Sequence, residues 1–130
     1  MESMQGGVEW IVDASGLAPE AIAGEAGRAR LAALFDELIA QLGLHPLAPA
    51  TWHVFGGPAG VTGLVMLSES HLACHSFPES GLLTLNLYTC RRRPGPDWQT
   101  LLARHLGLCR VGVRAVERGT PSAAAREEAR

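Results

Sequence analysis

The chain has 130 residues and a formal net charge of -2, with 47% hydrophobic and 18% charged residues. This length suits one domain, and the composition is that of a folded protein rather than a disordered one. No apolar run approaches the roughly 20 residues that cross a bilayer, and the small net charge gives no electrostatic reason for a nucleic-acid partner, so we expect a soluble domain with neither kind of partner.

The first third of the chain predicts a strand followed by an amphipathic helix. Residues 8–14 alternate loosely and form a segment of strand length. Within residues 19–42 the apolar side chains recur with the helical period of 3.6 residues. Gly43 supplies a helix stop, and Pro46 keeps the helix from resuming. The apolar stripe of this helix comprises Leu31, Leu34, Phe35, Leu38, Ile39 and Leu42.

Four strands are predicted next, separated by glycine and proline turn signals. They span residues 51–55, 61–68, 71–77 and 82–90. In the last of them one face carries leucines and the other carries polar side chains, as the period of two in a sheet requires. Cys90 should therefore point away from the leucine face.

A second helix and a last strand complete the predicted fold. Asp97 can cap a helix that Gly107 ends, and residues 110–117 alternate as a strand. Strands joined by tight turns are antiparallel, so the predicted class is α+β, an antiparallel sheet with two helices on one face in a two-layer sandwich. Residues 120–130 lack an apolar anchor and predict a flexible tail, which leaves 1–119 as a single domain.

The N-terminal sequence and the cysteines predict a cytoplasmic location. The first seven residues lack the basic region and apolar core of a secretion signal. Cys74, Cys90 and Cys109 are odd in number, so we expect free thiols, with Cys74 and Cys109 serving packing. The short basic run from Arg91 to Arg93 favours a solvated turn over a contact with a phosphate or carboxylate.

The densest cluster of reactive side chains runs from Ser68 to Glu79. It is compatible with a metal site of His71, Cys74 and His75, a hydrolase nucleophile at Ser70 or Cys74, or a serine that cleaves the backbone. On a strand both histidines point away from Cys74, which disfavours one zinc site, and no G-x-S-x-G elbow surrounds Ser70. A polar strand end that only satisfies its own hydrogen bonds is the remaining interpretation.

Four short motifs follow one another within this region. They are Gly60-Val61-Thr62-Gly63, Ser68-Glu69-Ser70-His71, His75-Ser76-Phe77-Pro78-Glu79 and Thr89-Cys90. In this order and spacing they resemble the signature of the prokaryotic, pyruvoyl-dependent S-adenosylmethionine decarboxylase proenzymes. The likeness extends from Phe55 to Glu117, and the combination is far more specific than any one motif.

The resemblance implies a chain that cleaves itself. The hydroxyl of Ser70 would attack the carbonyl of Glu69, and elimination from the resulting ester would split the chain between residues 69 and 70. A pyruvoyl group would then replace Ser70, with His75 and Thr62 at the positions that assist processing. In turnover the pyruvoyl ketone would form a Schiff base with the substrate amine, and Cys90 would donate a proton. No metal and no pyridoxal phosphate would be required.

The resemblance also implies a substrate. Glu79 matches a carboxylate that accepts hydrogen bonds from ribose hydroxyls, and Phe55 and Phe77 could sandwich an adenine ring, although core packing explains both rings equally well. The implied function is decarboxylation of S-adenosylmethionine, which supplies its decarboxylated form for spermidine and other polyamine synthesis. The alternatives are a pyruvoyl-dependent ornithine or arginine decarboxylase of the same family, and a non-catalytic regulatory relative.

The predicted sheet has one face that no helix covers. A large apolar patch is unusual on a soluble monomer, so we expect a homodimer that packs sheet against sheet in four layers, αββα. The resembled enzymes draw their active sites from both subunits. We therefore expect Phe55 or first-strand residues of one protomer to approach Ser70 of the other.

Overall fold

A computed structural model describes residues 6–119, which form an antiparallel sheet and two α-helices. The strands lie in the order β2-β3-β4-β5-β1-β6, and each is antiparallel to its neighbours. The predicted α+β class is therefore confirmed. In chain order the elements are β1 (Gly7–Ser15), a 3₁₀ turn (Pro19–Ala21), α1 (Gly24–Leu42), β2 (Thr51–Val54), β3 (Val61–Leu67), β4 (Ser70–Phe77), a second 3₁₀ turn (Pro78–Ser80), β5 (Leu82–Thr89), α2 (Trp98–Leu106) and β6 (Arg110–Arg118).

The ends of all six strands lie within one residue of the prediction. The first helix differs, because residues 19–42 form a 3₁₀ turn and then α1 rather than one continuous helix. Gly24, at the junction, has a φ of 66°, a left-handed conformation that a continuous right-handed helix does not contain. Gly43 ends α1 with a φ of 63°, as its sequence position predicts. The predicted tail, 120–130, lies outside the described residues.

One hydrophobic core lies between the two helices and one face of the sheet. Each helix buries a single stripe, and β5 alternates between buried leucines and partly exposed polar residues, as predicted. Burying a large apolar side chain contributes roughly 1.5–3 kcal/mol, so these stripes fix both helices on that face. The buried leucines and aromatics that meet here include Leu31, Leu34, Phe35, Leu38, Leu83, Leu85, Leu87, Trp98, Leu101, Leu102 and Leu106.

The opposite sheet face, here called the open face, carries exposed apolar side chains next to polar ones. Leu64 and Met66 on β3 are 52% and 61% exposed, and Val116 on β6 is 37% exposed. No helix of the described chain is long and apolar enough to cross a membrane. The open face is the surface that a second copy of the chain would cover in the predicted homodimer.

The basic run after β5 is only partly a solvated turn. Arg91 and Arg92 are exposed, and Arg92 pairs with Glu117 at 3.2 Å. The prediction is wrong for Arg93, whose Nη1 donates to the carbonyl oxygen of Leu42 at 2.7 Å in a partly buried position. The loop returns to the end of α1, a long-range contact that the local charge pattern does not reveal.

Glu37 on α1 connects the two helices through its carboxylate. It contacts His105 Nε2 at 2.6 Å and Arg104 on α2. The hydrogen bond with His105, followed by that with Arg104, lowers the pKa of the Glu37 carboxyl. A lowered folded-state pKa adds stability that is present above the unfolded-state value and is lost as the pH falls through the folded-state value.

We therefore expect Glu37→Gln to melt at a lower temperature than wild type near neutral pH, and this difference to shrink as the pH falls below the ordinary glutamate value of 4.5. The matched control is Glu25→Gln, because Glu25 pairs with Arg28 inside the same helix and is exposed. An exposed pair within one helix contributes little, so the control should shift the melting temperature less. A pH-independent effect of Glu37→Gln would contradict this role.

Candidate active site

Ser70 is the first residue of β4 and follows the two-residue turn Ser68-Glu69, here called the processing turn. Leu67 pairs with Ser70 across this hairpin. The Ser70 side chain points toward the core and is 9% exposed, and its Oγ has no hydrogen-bond partner among the described residues. An unsatisfied buried hydroxyl costs about 1–3 kcal/mol, so its position requires an explanation other than stability.

The carbonyl group of Glu69, next to Ser70, is polarised by the backbone of Cys90. The Cys90 N–H donates to the Glu69 carbonyl oxygen at 2.9 Å. This contact exists because Thr89, the last residue of β5, pairs with Ser70 and is fully buried on the core side. Cys90, one residue further, is partly exposed, in agreement with the predicted orientation. A backbone N–H in this position can stabilise an oxyanion that forms on the Glu69 carbonyl.

The side chain of Glu69 is held against the segment that follows α1. Its carboxylate accepts a hydrogen bond from Ser68 Oγ at 2.9 Å and lies 3.8 Å from His45 Nδ1. The backbone N–H of Ser68 donates to the His45 carbonyl at 2.9 Å. The Ser68 hydrogen bond is the main cause that lowers the pKa of the Glu69 carboxyl, and the charges of His45 and Arg93 act in the same direction.

A cleft of about 280 Å³ lies at the other end of β4. Thr62 and His75 are cross-strand partners on its floor, with Thr62 Oγ1 3.1 Å from His75 Nδ1. Phe55, Phe77 and Glu79 line its walls. The two phenylalanine rings are 53% and 41% exposed, so core packing does not explain them.

Ser76, for which the motifs predict no role, holds the floor of this cleft in place. Its buried Oγ donates to the Ile22 carbonyl at 2.7 Å and accepts from the Val61 N–H at 2.9 Å. A side chain at Gly60 would place its Cβ 2.7 Å from the Ser76 carbonyl oxygen, which explains that glycine by close backbone approach. At Gly63 a Cβ would overlap the Trp52 ring. Both motif glycines therefore serve packing, and the serine between two chemically prominent residues is structural.

A single chain holds the predicted site residues in two separate groups. Ser70 and His75 are five positions apart on an extended strand, a distance of about 16 Å at the usual rise of 3.3 Å per residue. They also point to opposite faces, since Ser70 is buried on the core side and His75 is exposed on the open face. The first group, at the processing turn, comprises Glu69, Ser70 and Cys90, and the second, at the cleft, comprises Phe55, Thr62, His75, Phe77 and Glu79.

The remaining reactive residues of β4 do not converge on a site. Cys74 is fully buried, whereas His71 and His75 are exposed on the opposite face, as strand geometry predicts. Burial raises the pKa of the Cys74 thiol to about 12, which makes it a poor nucleophile at neutral pH. His71 stacks on Tyr88 with ring centroids 5.6 Å apart. Within residues 6–119 no three His, Cys, Asp or Glu side chains are placed to hold a metal ion.

Comparison with known proteins agrees with the motifs. The chain is similar to proteins named S-adenosylmethionine decarboxylase proenzyme from Prochlorococcus marinus strain MIT 9313, at 39% identity over 69 residues (52% of this chain, 55% of that protein), and from Thermococcus kodakarensis, at 35% over 91 residues (70% and 60%). A protein of the same name from Symbiobacterium thermophilum is 44% identical over 64 residues, or 48% of each chain. The chain spans about half the length of the curated relatives it matches.

The family model described as S-adenosylmethionine decarboxylase matches residues 8–119. Apart from Gly7, the first residue of β1, this range contains all six strands, both helices, the processing turn and the cleft. The protein therefore belongs to the S-adenosylmethionine decarboxylase family.

Proposed function

We propose that this protein is a self-processing, pyruvoyl-dependent decarboxylase that acts on S-adenosylmethionine. The observation that carries the proposal is the buried hydroxyl of Ser70, which has no hydrogen-bond partner in the described part of the chain, beside a carbonyl that Cys90 polarises. A nucleophile and an oxyanion donor on either side of one peptide bond are what backbone cleavage requires. The relatives are named proenzymes, which supports a chain that undergoes processing.

In the proposed processing reaction, Ser70 Oγ attacks the carbonyl carbon of Glu69 and the C–N bond breaks, which leaves an ester and a free amine at residue 70. The Cys90 N–H stabilises the oxyanion of this step. A base then removes the Cα hydrogen of residue 70, and the Glu69 carboxylate leaves with the electron pair of the ester C–O bond. The dehydroalanine that remains takes up water and releases ammonia, and residue 70 becomes a pyruvoyl group.

The residues around Ser70 fit such a group. A pyruvoyl group supplies an electron sink for the electrons that carbon dioxide leaves behind. The Cys90 thiol, partly exposed next to the processing turn, is the proposed donor of the proton that the substrate Cα then receives. The Cys90 backbone thus serves maturation and its side chain serves turnover.

The cleft favours S-adenosylmethionine over a small amino acid. Phe55 and Phe77 expose two rings there, and an adenine between them would gain stacking that contributes about 0.5–1.5 kcal/mol beyond area burial. Glu79 offers a carboxylate to the ribose hydroxyls. Ornithine or arginine would leave both rings without a stacking partner, and for their cationic ends Glu79 is the one carboxylate among the described residues that line this cleft.

The proposed active unit is a homodimer. His75 and Thr62 cannot reach Ser70 of their own chain, but a two-fold partner packed on the open face would present a second cleft to each processing turn. The exposed Leu64, Met66 and Val116 provide apolar surface for such a contact. Sheet would then pack on sheet, with the helices outside in four layers.

The test combines mass and activity. The intact-mass spectrum of purified protein should show residues 1–69 and a second chain that begins with a pyruvoyl group at position 70. Incubation with S-adenosylmethionine, ornithine and arginine in turn should release carbon dioxide from S-adenosylmethionine alone. A spectrum with full-length chain alone would overturn the processing proposal, and release from ornithine or arginine would favour the corresponding alternative.

We expect Cys90→Ala to cleave itself but to turn over on the order of 100-fold more slowly, because the backbone N–H remains while the proton donor is lost. Intact mass reports the first effect and carbon dioxide release the second. The matched control is Cys109→Ala, a partly buried thiol near the end of α2, which should keep both activities. Wild-type turnover in Cys90→Ala would reduce Cys90 to a packing residue.

A further inference from the structure

Arg93 holds a buried hydrogen-bond donor for which residues 6–119 offer no partner. Its Nη1 donates to the Leu42 carbonyl at 2.7 Å, but its Nε is buried and has no acceptor among the described residues. Desolvating part of a charged group without a compensating partner is costly. Its two neighbours in the basic run are exposed. Membership of that run therefore does not explain why Arg93 is partly buried.

Arg93 lies beside the processing turn. The loop that carries it leaves β5 at Cys90, whose N–H binds the Glu69 carbonyl. The end of α1 that Arg93 binds continues to His45, whose carbonyl accepts from the N–H of Ser68. The positive charge of Arg93 also acts on the Glu69 carboxylate. Two backbone contacts and the effect of the Arg93 charge on Glu69 thus place a partly buried guanidinium near the bond that the proposed reaction cleaves.

Cleavage changes the charge at this position. The elimination step expels Glu69 as a free α-carboxylate, so residue 69 then carries two negative charges where the precursor carries one. An arginine N–H is a strong donor to a carboxylate, and its charge remains at every working pH. We propose that Arg93 binds the new C-terminal carboxylate of Glu69 through the N–H that has no acceptor in the precursor, an inference that rests on the proposed self-cleavage.

Two consequences follow for the reaction and for the cleaved protein. A cation next to the departing carboxylate stabilises the charge that develops on it, so elimination from the ester is faster. After elimination the same contact ties the end of the first chain to the loop after β5 and thereby keeps the processing turn in place. Arg93 would therefore stabilise the cleaved form more than the uncleaved form.

The first test follows processing in Arg93→Gln, with Arg91→Gln as the matched control for loss of one exposed positive charge in the same loop. Freshly made protein is sampled over time by intact mass, with and without hydroxylamine, which converts the ester intermediate to a Glu69 hydroxamate. We expect cleavage of Arg93→Gln to be slower on the order of 10-fold or more, with hydroxamate accumulating, while Arg91→Gln behaves as wild type. Arg93→Lys, which keeps the charge, should recover part of the rate.

The second test separates binding of the carboxylate from the contact with Leu42. The melting temperature of Arg93→Gln is measured in the cleaved protein and again with Ser70→Ala, in which the α-carboxylate never forms. The Leu42 contact is lost in both, so a loss that is larger in the cleaved protein by roughly 4 °C or more reports the carboxylate contact. Arg91→Gln should lower both temperatures equally.

Failure of this inference differs from failure of the proposed function. If wild type never cleaves, the proposed processing is wrong. If wild type cleaves but Arg93→Gln cleaves at the same rate without trapped ester, and loses equal stability in both backgrounds, Arg93 does not bind the new terminus. If Arg93→Gln is too unstable to process, Arg93→Lys carries both measurements, with an intermediate rate and an intermediate melting difference as the supporting result.

Discussion

Ser70→Ala should remain a single full-length chain and release no carbon dioxide from S-adenosylmethionine. Alanine has no hydroxyl to attack the Glu69 carbonyl, so neither the ester nor the pyruvoyl group can form, and the loss of both should be complete. The variant should fold normally, because within residues 6–119 the Ser70 hydroxyl has no hydrogen-bond partner that the substitution could remove. Three measurements on one sample check these expectations: intact mass reports cleavage, carbon dioxide release reports activity, and a melting curve reports folding.

The matched control is Ser68→Ala, which removes the other hydroxyl beside the same peptide bond. Ser68 Oγ donates to the Glu69 carboxylate and not to the carbonyl, so this variant should still cleave at residue 70. If Ser70→Ala were cut as in wild type, another nucleophile would have to act at this bond. If Ser68→Ala also remained uncut, the orientation of the Glu69 side chain would be part of the processing machinery.

The sequence predicts the strands well because their alternation and their turn residues are local signals. On β5 Leu83, Leu85 and Leu87 follow one another at every second position, and each is buried. The interruption before α1 was not predicted, since Gly24 can join a helix or break it, and the surrounding packing decides which. The contact of Arg93 with Leu42 is not predicted either, because it joins residues that are far apart in the chain.

The predicted site residues illustrate the limit of motif spacing. Ser70 and His75 are close in sequence and were placed in one reaction by resemblance. An extended strand separates them along its length and turns them to opposite faces, and neither effect is apparent from a motif written as letters. Thr62, by contrast, is distant from His75 in sequence but adjacent across the hairpin. The motifs predict which residues form the site, but they do not predict that a single chain keeps Ser70 and His75 apart.

Because a single chain keeps Ser70 and His75 apart, processing should differ between pure and mixed dimers of variants at these two positions. We propose His75 as the base that removes the Cα hydrogen of residue 70, so His75→Ala alone, which lacks this base in both subunits, should process about 100-fold more slowly or worse. Ser70→Ala alone should not process at all. A mixed dimer contains one chain of each variant. In it, Ser70 of the His75→Ala chain lies near the intact histidine of the Ser70→Ala chain, so one of the two sites is complete.

We therefore expect co-expression of Ser70→Ala and His75→Ala to restore cleavage of the His75→Ala chain and of no other. The two chains differ in mass, so one intact-mass spectrum identifies which is cut. The control replaces the Ser70→Ala chain by one that carries both Ser70→Ala and His75→Ala, so that no intact histidine is available and cleavage should remain slow.

The open face makes this rescue possible without His75 reaching the buried hydroxyl, because the base needs access to the Cα hydrogen and not to Oγ. If His75→Ala processed at the wild-type rate by itself, or if the mixture stayed uncut although dimers of both chains were isolated, the shared site would be wrong.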